Sequence, residues 1–558
     1  MSVSAPVSAP VSAPASASVP ASGAPADNDA DRELVEALRT SPLGRFAAYF
    51  PPKAYPEPTW IFTRFFLLRL LGLLYFVAFF SLYKQLLPLL GSRGLLPIER
   101  FLRAVEIHFG STGAAFAKLP SLFWLGSSDG LLTGMALVGT GLSLLVLAGA
   151  TNAILQAVLW AMYLSFVQVG QIFYGYGWEM LLLEAGFLAI FLCPVRSFGP
   201  FPDRSPPPVL VVWLFRWLAF RLMFGAGLIK IRGDECWRDL TCLLYHYETQ
   251  PNPNPLSPYI HHLPAWFHEA GVLFNHFVEL IVPFFIFGPR RARHIAGGLL
   301  VLFQVSLIAS GNLSFLNWLT IAVCVACFDD SLLGRLVPGR LRARALSEEK
   351  IKAAPSRARR GVLYALGVGV GVLSLGPVLN MLSPGQAMNA SFEPLHLVNT
   401  YGAFGSVGKE RFEVILSGTE SRELNEETQW LEFEFPCKPG DVTRRPCLVS
   451  PYHYRLDWQM WFAAMSRIEE EPWLVHLIYK LLEGDPGIRT LLARDPFEGR
   501  RPAFVRAELY RYSFTRPGEG AAWWTRTRAG TYLRPVALDD EELAVYLKAQ
   551  GLISEAAR

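Results

Sequence analysis

The sequence has few charged residues for its length. Asp, Glu, Lys and Arg make up only 18% of its 558 residues, against roughly 25% in an average soluble domain. The formal net charge of +4 is too small to indicate nucleic acid as a partner. Because 52% of the residues are hydrophobic, the composition excludes an ordinary soluble protein. It predicts an integral membrane protein with a soluble part.

The sequence also lacks several common catalytic motifs. It has no HExxH and no phosphate-binding loop, so neither a zinc site nor a phosphate site is indicated. Cys324 and Cys327 form a CxxC pair inside an apolar stretch, where buried small side chains are expected rather than a redox pair. We therefore predict no catalytic residue, no metal and no cofactor.

The first 55 residues contain no basic segment followed by a long apolar run. Their Ala, Ser, Pro and Val repeats are unlike a signal peptide. This composition predicts a disordered tail and linker over residues 1–55.

Residues 56–385 contain apolar stretches of membrane-spanning length. A spanning helix needs about 20 mostly apolar residues, and about nine stretches qualify, the short ones being candidates for re-entrant segments. They cover 64–90, 131–149, 152–169, 174–193, 209–230, 272–288, 295–311, 314–328 and 361–382. The fold class predicted is a multi-pass α-helical membrane domain.

Arginine clusters give the orientation, because Lys and Arg concentrate in cytoplasmic loops. One cluster contains Arg290, Arg291 and Arg293, and a larger one lies between residues 335 and 360. Alternation from these loops places 91–130, 231–271 and everything after about 383 outside, in the periplasm or the lumen. An oxidising compartment would then hold Cys236, Cys242, Cys437 and Cys447. Of three possible connectivities we favour the local pairs, Cys236–Cys242 and Cys437–Cys447.

The sequence changes character after residue 386. Residues 413–416, 430–435 and 503–514 alternate as strands do, and 457–483 is typical of a helix broken near Pro472. We predict a soluble α+β domain, rich in strands, over residues 386–558. Trp523 and Trp524, beside two arginines, are core residues, part of a binding face or in contact with the membrane interface.

The polar segment 230–257 lies between two apolar stretches and contains several prolines, which exclude a continuous helix. Asp239, His246 and Glu248 can be read as a general acid and base. The simpler interpretation is a cap in which Arg232, Asp234, Arg238 and Asp239 form ion pairs. A docking surface for a partner is the third alternative.

Ionisable residues inside the apolar stretches are costly and are candidates for function. They are Arg69, Glu179, Glu184, Arg216, Arg221, His276 and Glu279. Because the opposite charges nearly balance, we expect pairing within the bundle. His261, His262 and His268 do not form a recognised metal-ligand pattern.

Several long strings resemble the lipase maturation factor family. They lie at 227–257, 275–285, 310–320 and 326–330, with weaker similarity at 64–90, 174–193 and 396–463. The polar segment carries the most diagnostic residues, which are Lys230, Arg232, Asp234, Trp237, Arg238, Asp239, His246, Glu248 and Asn254. The resemblance covers about 60–558.

The resemblance implies a membrane protein, typically of the endoplasmic reticulum, that helps secreted dimeric lipases to fold and assemble. Its partners would be membrane lipid and an exported client. The Ala/Ser/Pro tail, the arginine content and the ending SEAAR favour a bacterial member, located in the inner membrane. The alternative is a membrane enzyme, weakly similar to the membrane module of vitamin K-dependent carboxylase. That alternative requires Lys230, His246 or Glu279 to converge on a cavity, whereas a closed, paired cluster favours the maturation factor.

Overall fold

Residues 59–346 and 355–553 are described here from a computed structural model. The tail expected over residues 1–55 lies outside these described residues. The helices of the first part are α1 Ile61–Leu90, α2 Ile98–Phe109, α3 Thr112–Lys118, α4 Asp129–Ala148, α5 Ala153–Val169, α6 Gly177–Leu192, α7 Val209–Arg232, α8 Glu235–Arg238, α9 Leu243–Thr249, α10 Ser257–His261, α11 Ala265–His276, α12 Val282–Phe285, α13 Arg290–Ser310, α14 Leu316–Cys324, α15 Asp330–Leu333, α16 Gly339–Ala345, α17 Arg357–Leu373 and α18 Leu375–Leu382.

Polar caps and glycine set several helix boundaries. The side chain of Ser128 accepts a hydrogen bond from the Leu131 amide before α4, and Asn152 does the same for Leu155 before α5. Such caps satisfy amides that have no partner inside the helix. Helix α4 ends at Gly149, whose φ of 141° is one that only glycine adopts easily.

Among the described residues, five helices are long and apolar enough to cross a membrane: α1, α4, α7, α13 and the combined segment Arg357–Leu382. A sixth span results if Leu316–Cys327 and Asp330–Leu336, bent by 104°, count as one. The expected number of about nine is therefore not confirmed. The stretch 174–193 forms a helix of only 16 residues, and 272–288 is interrupted by a π-helical turn at Phe277–Ile281.

The segments predicted to lie inside meet at one end of the bundle. Both carboxylate oxygens of Asp330 accept from the Ile61 and Phe62 amides at the start of α1, at 2.9 and 2.7 Å. Asp329 pairs with Arg290 and Arg293 at 2.8 and 2.7 Å. We call this the arginine-rich end.

The segments predicted to lie outside meet at the opposite end. There Gln85, near the end of α1, donates to the His453 carbonyl at 2.7 Å. Asn312, between α13 and α14, donates to the Cys447 carbonyl at 2.8 Å. The second part of the chain is therefore attached to this end, which we call the sheet end.

The second part contains a four-stranded antiparallel sheet in the order β2-β1-β3-β4. Its strands are β1 Arg411–Thr419, β2 Leu431–Glu432, β3 Phe504–Phe514 and β4 Trp524–Val536. Its helices are α19 Arg455–Ala463, α20 Pro472–Glu483, α21 Pro486–Arg489 and α22 Glu541–Ala549. The break near Pro472 and the strand at 503–514 are thus confirmed. Trp458, Trp473 and Trp524 are buried, as core residues should be.

Candidate functional site

The polar segment begins with a closed ion pair at the end of α7. Lys230 Nζ lies 2.6 and 2.7 Å from the two carboxylate oxygens of Glu279 and 3.0 Å from Asn275 Oδ1. Asn275 Nδ2 in turn donates to Glu279 Oε2 at 3.0 Å. Buried charges are tolerated when both partners have further hydrogen bonds. Lys230 and Glu279 are therefore engaged with each other and with an amide.

A π-helical turn aims Glu279 at Lys230. Pro283 has no amide hydrogen to donate to the carbonyl of residue 279, and one wide turn, Phe277–Ile281, precedes it. Helix α7 passes close to this turn at Gly227, where an added Cβ would lie 2.7 Å from Leu280 Cδ2 and 3.0 Å from Glu279 Cβ. Glycine at 227 permits the approach that lets the pair form.

A short helix and a disulfide stabilise the residues that follow Lys230 in the polar segment. Asp234 caps α8, and the predicted pair Cys236–Cys242 is formed. The Trp237 indole donates to the Phe404 carbonyl at 2.8 Å, while His276 Nε2 lies 2.9 Å from the Trp237 carbonyl oxygen. The polar segment is thus bound both to α11 and to the chain that leads to the sheet.

The expected ion pairs of this segment are not formed. Arg232 donates to the Gln386 side-chain oxygen at 2.9 Å, and Arg238 donates to the Ile231 carbonyl at 2.9 Å. Asp234 caps a helix, and Asp239 is exposed. Carbonyl and amide oxygens in an irregular backbone satisfy these arginines without a carboxylate.

His246 and Glu248 lie in α9, and both are withdrawn from solvent. Burial, followed by the charge of Lys230, lowers the pKa of His246 to about 4, and its ring packs against Phe404 at 4.8 Å. Glu248 Oε2 accepts from the Phe514 amide at 2.7 Å and lies 3.7 Å from His261 Nε2. Burial raises the pKa of Glu248. His246 and Glu248 therefore connect the polar segment to Phe404 and to strand β3.

Arg411, at the start of β1, reaches from the sheet into the polar segment. Its side chain is 1% exposed and donates to the carbonyls of Glu248 at 2.8 Å and Pro251 at 2.9 Å. It also pairs with Glu413 at 2.6 Å. The sequence did not single out Arg411, because an arginine with a glutamate two residues later is an ordinary pattern on a strand.

Asn312 forms a second joint between bundle and sheet. Its amide nitrogen donates to the carbonyls of Pro253 and Cys447, and its oxygen accepts from the amides of Val449 and Ser450, each at 3.1 Å. Asn254, from the diagnostic segment, donates to the Ile308 and Ala309 carbonyls at the end of α13. The second predicted disulfide, Cys437–Cys447, is formed beside this joint.

The intramembrane charges pair partly as predicted. Glu184 forms an ion pair with Arg221 and also accepts from Asn399 and from Tyr401, whose hydroxyl is at 2.8 Å. Glu179 instead pairs with Arg455, which comes from the sheet-bearing part.

The other intramembrane arginines bond to carbonyls. Arg69 donates to the Ala150 carbonyl and Arg216 to the Ala326 carbonyl, both at 2.9 Å. The guanidinium group of Arg216 also lies 4.6 Å from the centre of the Trp60 ring. A balance of charges along the sequence therefore did not predict the partners.

Histidines and aromatic side chains surround the contact between α10 and the sheet. Tyr259 packs against Trp523 with ring centres 6.3 Å apart, and His261 packs against Phe514 at 5.6 Å. Trp266 is 67% exposed. In the described part of the chain, no three His, Cys, Asp or Glu side chains are placed to hold a metal ion. Cys324 and Cys327 are free and buried.

Comparisons with known proteins match both parts of the chain. The lipase maturation factor transmembrane domain matches residues 62–335, and the lipase maturation factor C-terminal domain matches residues 397–534. The chain is 52% identical over 505 residues to lipase maturation factor 1 of Bos taurus, covering 86% of this chain and 90% of that protein. The Homo sapiens protein of the same name is 49% identical over 530 residues, covering 91% and 93%.

More distant similarity exists as well. Lipase maturation factor 2 of Gallus gallus is 32% identical over 600 residues, covering 86% of this chain and 82% of that protein. These relatives are vertebrate proteins and give no support to the bacterial source that the composition favoured. No solved structure matches the chain.

Proposed function

The chain belongs to the lipase maturation factor family, and we propose that it assists the folding and assembly of exported lipases without being an enzyme itself. The observation that carries this proposal is the closed pairing at Lys230 and Glu279. The enzyme alternative needs these groups to face a cavity. Two cavities of the described residues lie elsewhere, one beside Arg501 and Asp539 and one at the arginine-rich end.

The client surface that we propose is the open edge of the sheet. Strand β4 is an edge strand of 13 residues, and an edge strand offers unpaired amides and carbonyls to an incoming strand. Thr525, Thr527, Ala529 and Thr531 are exposed along it. Nearby arginines have partners within the domain, such as Arg526 with Glu432 at 2.7 Å, so a neutral client strand meets little free charge.

The sheet end is proposed to face the lumen, or the equivalent outer compartment. The charge rule supports this orientation, because the opposite end carries the arginine clusters. Two disulfides also lie at the sheet end. Replacement of exposed Glu427 by cysteine, with Arg340→Cys as the matched control, would test it with a membrane-impermeant maleimide. In sealed microsomes, whose outer surface is the cytoplasmic face of the membrane, we expect labelling of the Glu427 variant only after permeabilisation, and the reverse pattern would contradict the orientation.

The function is tested by co-expression with a secreted dimeric lipase in cells that lack any maturation factor. We expect wild-type chain to raise lipase activity per unit of lipase protein, and to raise the dimer fraction in sedimentation. An enzyme would instead leave a covalent change on its product, visible by mass spectrometry. Equal specific activity with and without the chain would contradict the proposal.

A further inference from the structure

A cavity at the arginine-rich end is separate from the surface proposed for the client. It has a volume of about 520 Å³ and lies between the loop that joins α6 to α7 and helix α16. Arg196 and Ser197 line it on the loop side, and Leu341 and Arg344 line it on the helix side. Pro200 and Pro202 also line the cavity, and their fixed φ angles stiffen its wall.

The cavity has an excess of positive charge. Arg196 and Arg344 are unpaired with any carboxylate among residues 59–346 and 355–553. Asp203 also lines it and contributes one negative charge. Anions that accept several hydrogen bonds are the ligands that such paired guanidinium groups recognise.

Three further guanidinium groups surround the same loop. Arg64 and Arg359 both donate to Ser205, the first to its carbonyl at 2.6 Å and the second to its hydroxyl at 2.8 Å. Arg69 Nη1 and the Pro200 ring each lie within 4 Å of the position that a Cβ on Gly149 would take. Nitrogen atoms of all three arginines are buried without a hydrogen-bond partner among the described residues: Arg64 Nε, Arg69 Nε and Nη1, and Arg359 Nη2. Buried donors of this kind favour a nearby anion.

Two residues that lie between lining residues in the same loop are apolar and exposed, and we call them the apolar rim. They are Val195, 67% exposed, and Phe198, 76% exposed. Large exposed apolar side chains at the end of a membrane bundle fit contact with lipid rather than with water. A basic cavity with an apolar rim matches a phospholipid better than a soluble phosphate, because the acyl chains need an apolar surface.

We propose that this cavity binds the phosphate-bearing headgroup of an anionic membrane phospholipid. The lipid comes from the leaflet on the arginine-rich side. Arg196 and Arg344 contact the phosphate, and the apolar rim contacts the upper part of the acyl chains. Basic pockets beside spanning helices bind anionic headgroups through the same chemistry.

The test is native mass spectrometry of the full chain, titrated in detergent with phosphatidylglycerol, phosphatidylcholine or glycerol 3-phosphate. We expect phosphatidylglycerol, whose headgroup is net negative, to bind at least tenfold more tightly than phosphatidylcholine, whose choline cation cancels the phosphate charge, since each arginine beside an anionic headgroup adds roughly fivefold in affinity. Arg196→Gln and Arg344→Gln should each lose about fivefold, and the double variant about 25-fold. The matched control is Arg340→Gln, an exposed arginine of α16 that does not line the cavity, and it should bind as wild type does.

Three results would overturn the proposal. The first is equal binding of the two lipids, and the second is a double variant that retains wild-type affinity. The third is binding of glycerol 3-phosphate as tight as that of phosphatidylglycerol, which would indicate a site for a soluble phosphate. Both lining arginines are exposed, so the thermal unfolding temperature should stay unchanged and a folding defect would be visible separately.

Discussion

Arg455 and Glu179 form an ion pair that is fully buried between the sheet-bearing part and the bundle. Arg455 Nη1 lies 2.8 Å from Glu179 Oε1, and both side chains are 0% exposed. The same guanidinium nitrogen donates to the Phe173 carbonyl at 2.6 Å. A charge from one part is thus neutralised by a charge from the other, which couples their stabilities.

Removal of one member of the Arg455–Glu179 pair should strongly destabilise the protein. We expect Arg455→Met to destabilise the protein by about 3–5 kcal/mol, because it leaves a buried carboxylate without its cation. Thermal unfolding in detergent measures the loss. Arg534→Met, at an exposed ion pair with Asp540, is the control and should leave the unfolding temperature nearly unchanged. The double variant Glu179→Leu, Arg455→Met should recover part of the loss, and a double variant worse than both single ones would contradict the pairing.

Asn312 should hold the start of the segment after Cys447. We expect Asn312→Ala to cost about 1–3 kcal/mol, since it leaves buried carbonyls and amides without partners. Hydrogen exchange should accelerate at the Val449 and Ser450 amides, which donate to Asn312. Asn425→Ala, on an exposed turn, should leave those amides unchanged. Unaltered exchange at 449 and 450 in the Asn312 variant would show that the joint is not needed.

Acid should destabilise the polar segment through His246. Its pKa is about 4 in the folded protein, against about 6.5 when unfolded. Between about pH 4 and pH 6.5, the unfolded state binds more protons at His246 than the folded state does. The stability that His246 contributes is therefore complete above about pH 6.5 and is lost progressively as the pH falls to about 4. At pH 5 the loss is about 2 kcal/mol.

The measurement compares unfolding of wild type and His246→Gln between pH 7 and pH 4. Glu248 has a raised pKa and acts in the opposite direction in both proteins, so the difference isolates the histidine. The difference in unfolding temperature between wild type and His246→Gln should become smaller as the pH falls. A constant difference would mean that the pKa of His246 is the same in the folded and the unfolded protein.

Part of this structure could be predicted because it depends on local pattern. Both disulfides were predictable because the paired cysteines are only 6 and 10 residues apart. Pro472 indicates the start of a helix because the first turn of a helix does not need its missing amide hydrogen. Partners of buried charges could not be predicted in the same way. Glu179 and Arg455 are 276 residues apart, and hydropathy does not identify which distant segment meets a buried carboxylate. The predicted number of about nine spans is not confirmed for a related reason. The length of an apolar stretch does not reveal the π-helical turn at Phe277–Ile281.

Crosslinking from the edge strand tests the proposed client contact most directly. A photoreactive phenylalanine replaces Thr527, which is exposed on β4, and Arg340, exposed at the arginine-rich end, is the control position. Each variant is co-expressed with a secreted dimeric lipase and irradiated. We expect a covalent adduct with newly made lipase from position 527, absent from 340 and reduced once the lipase has dimerised. Equal adducts from both positions, or none from 527 while lipase activity still depends on the chain, would contradict it.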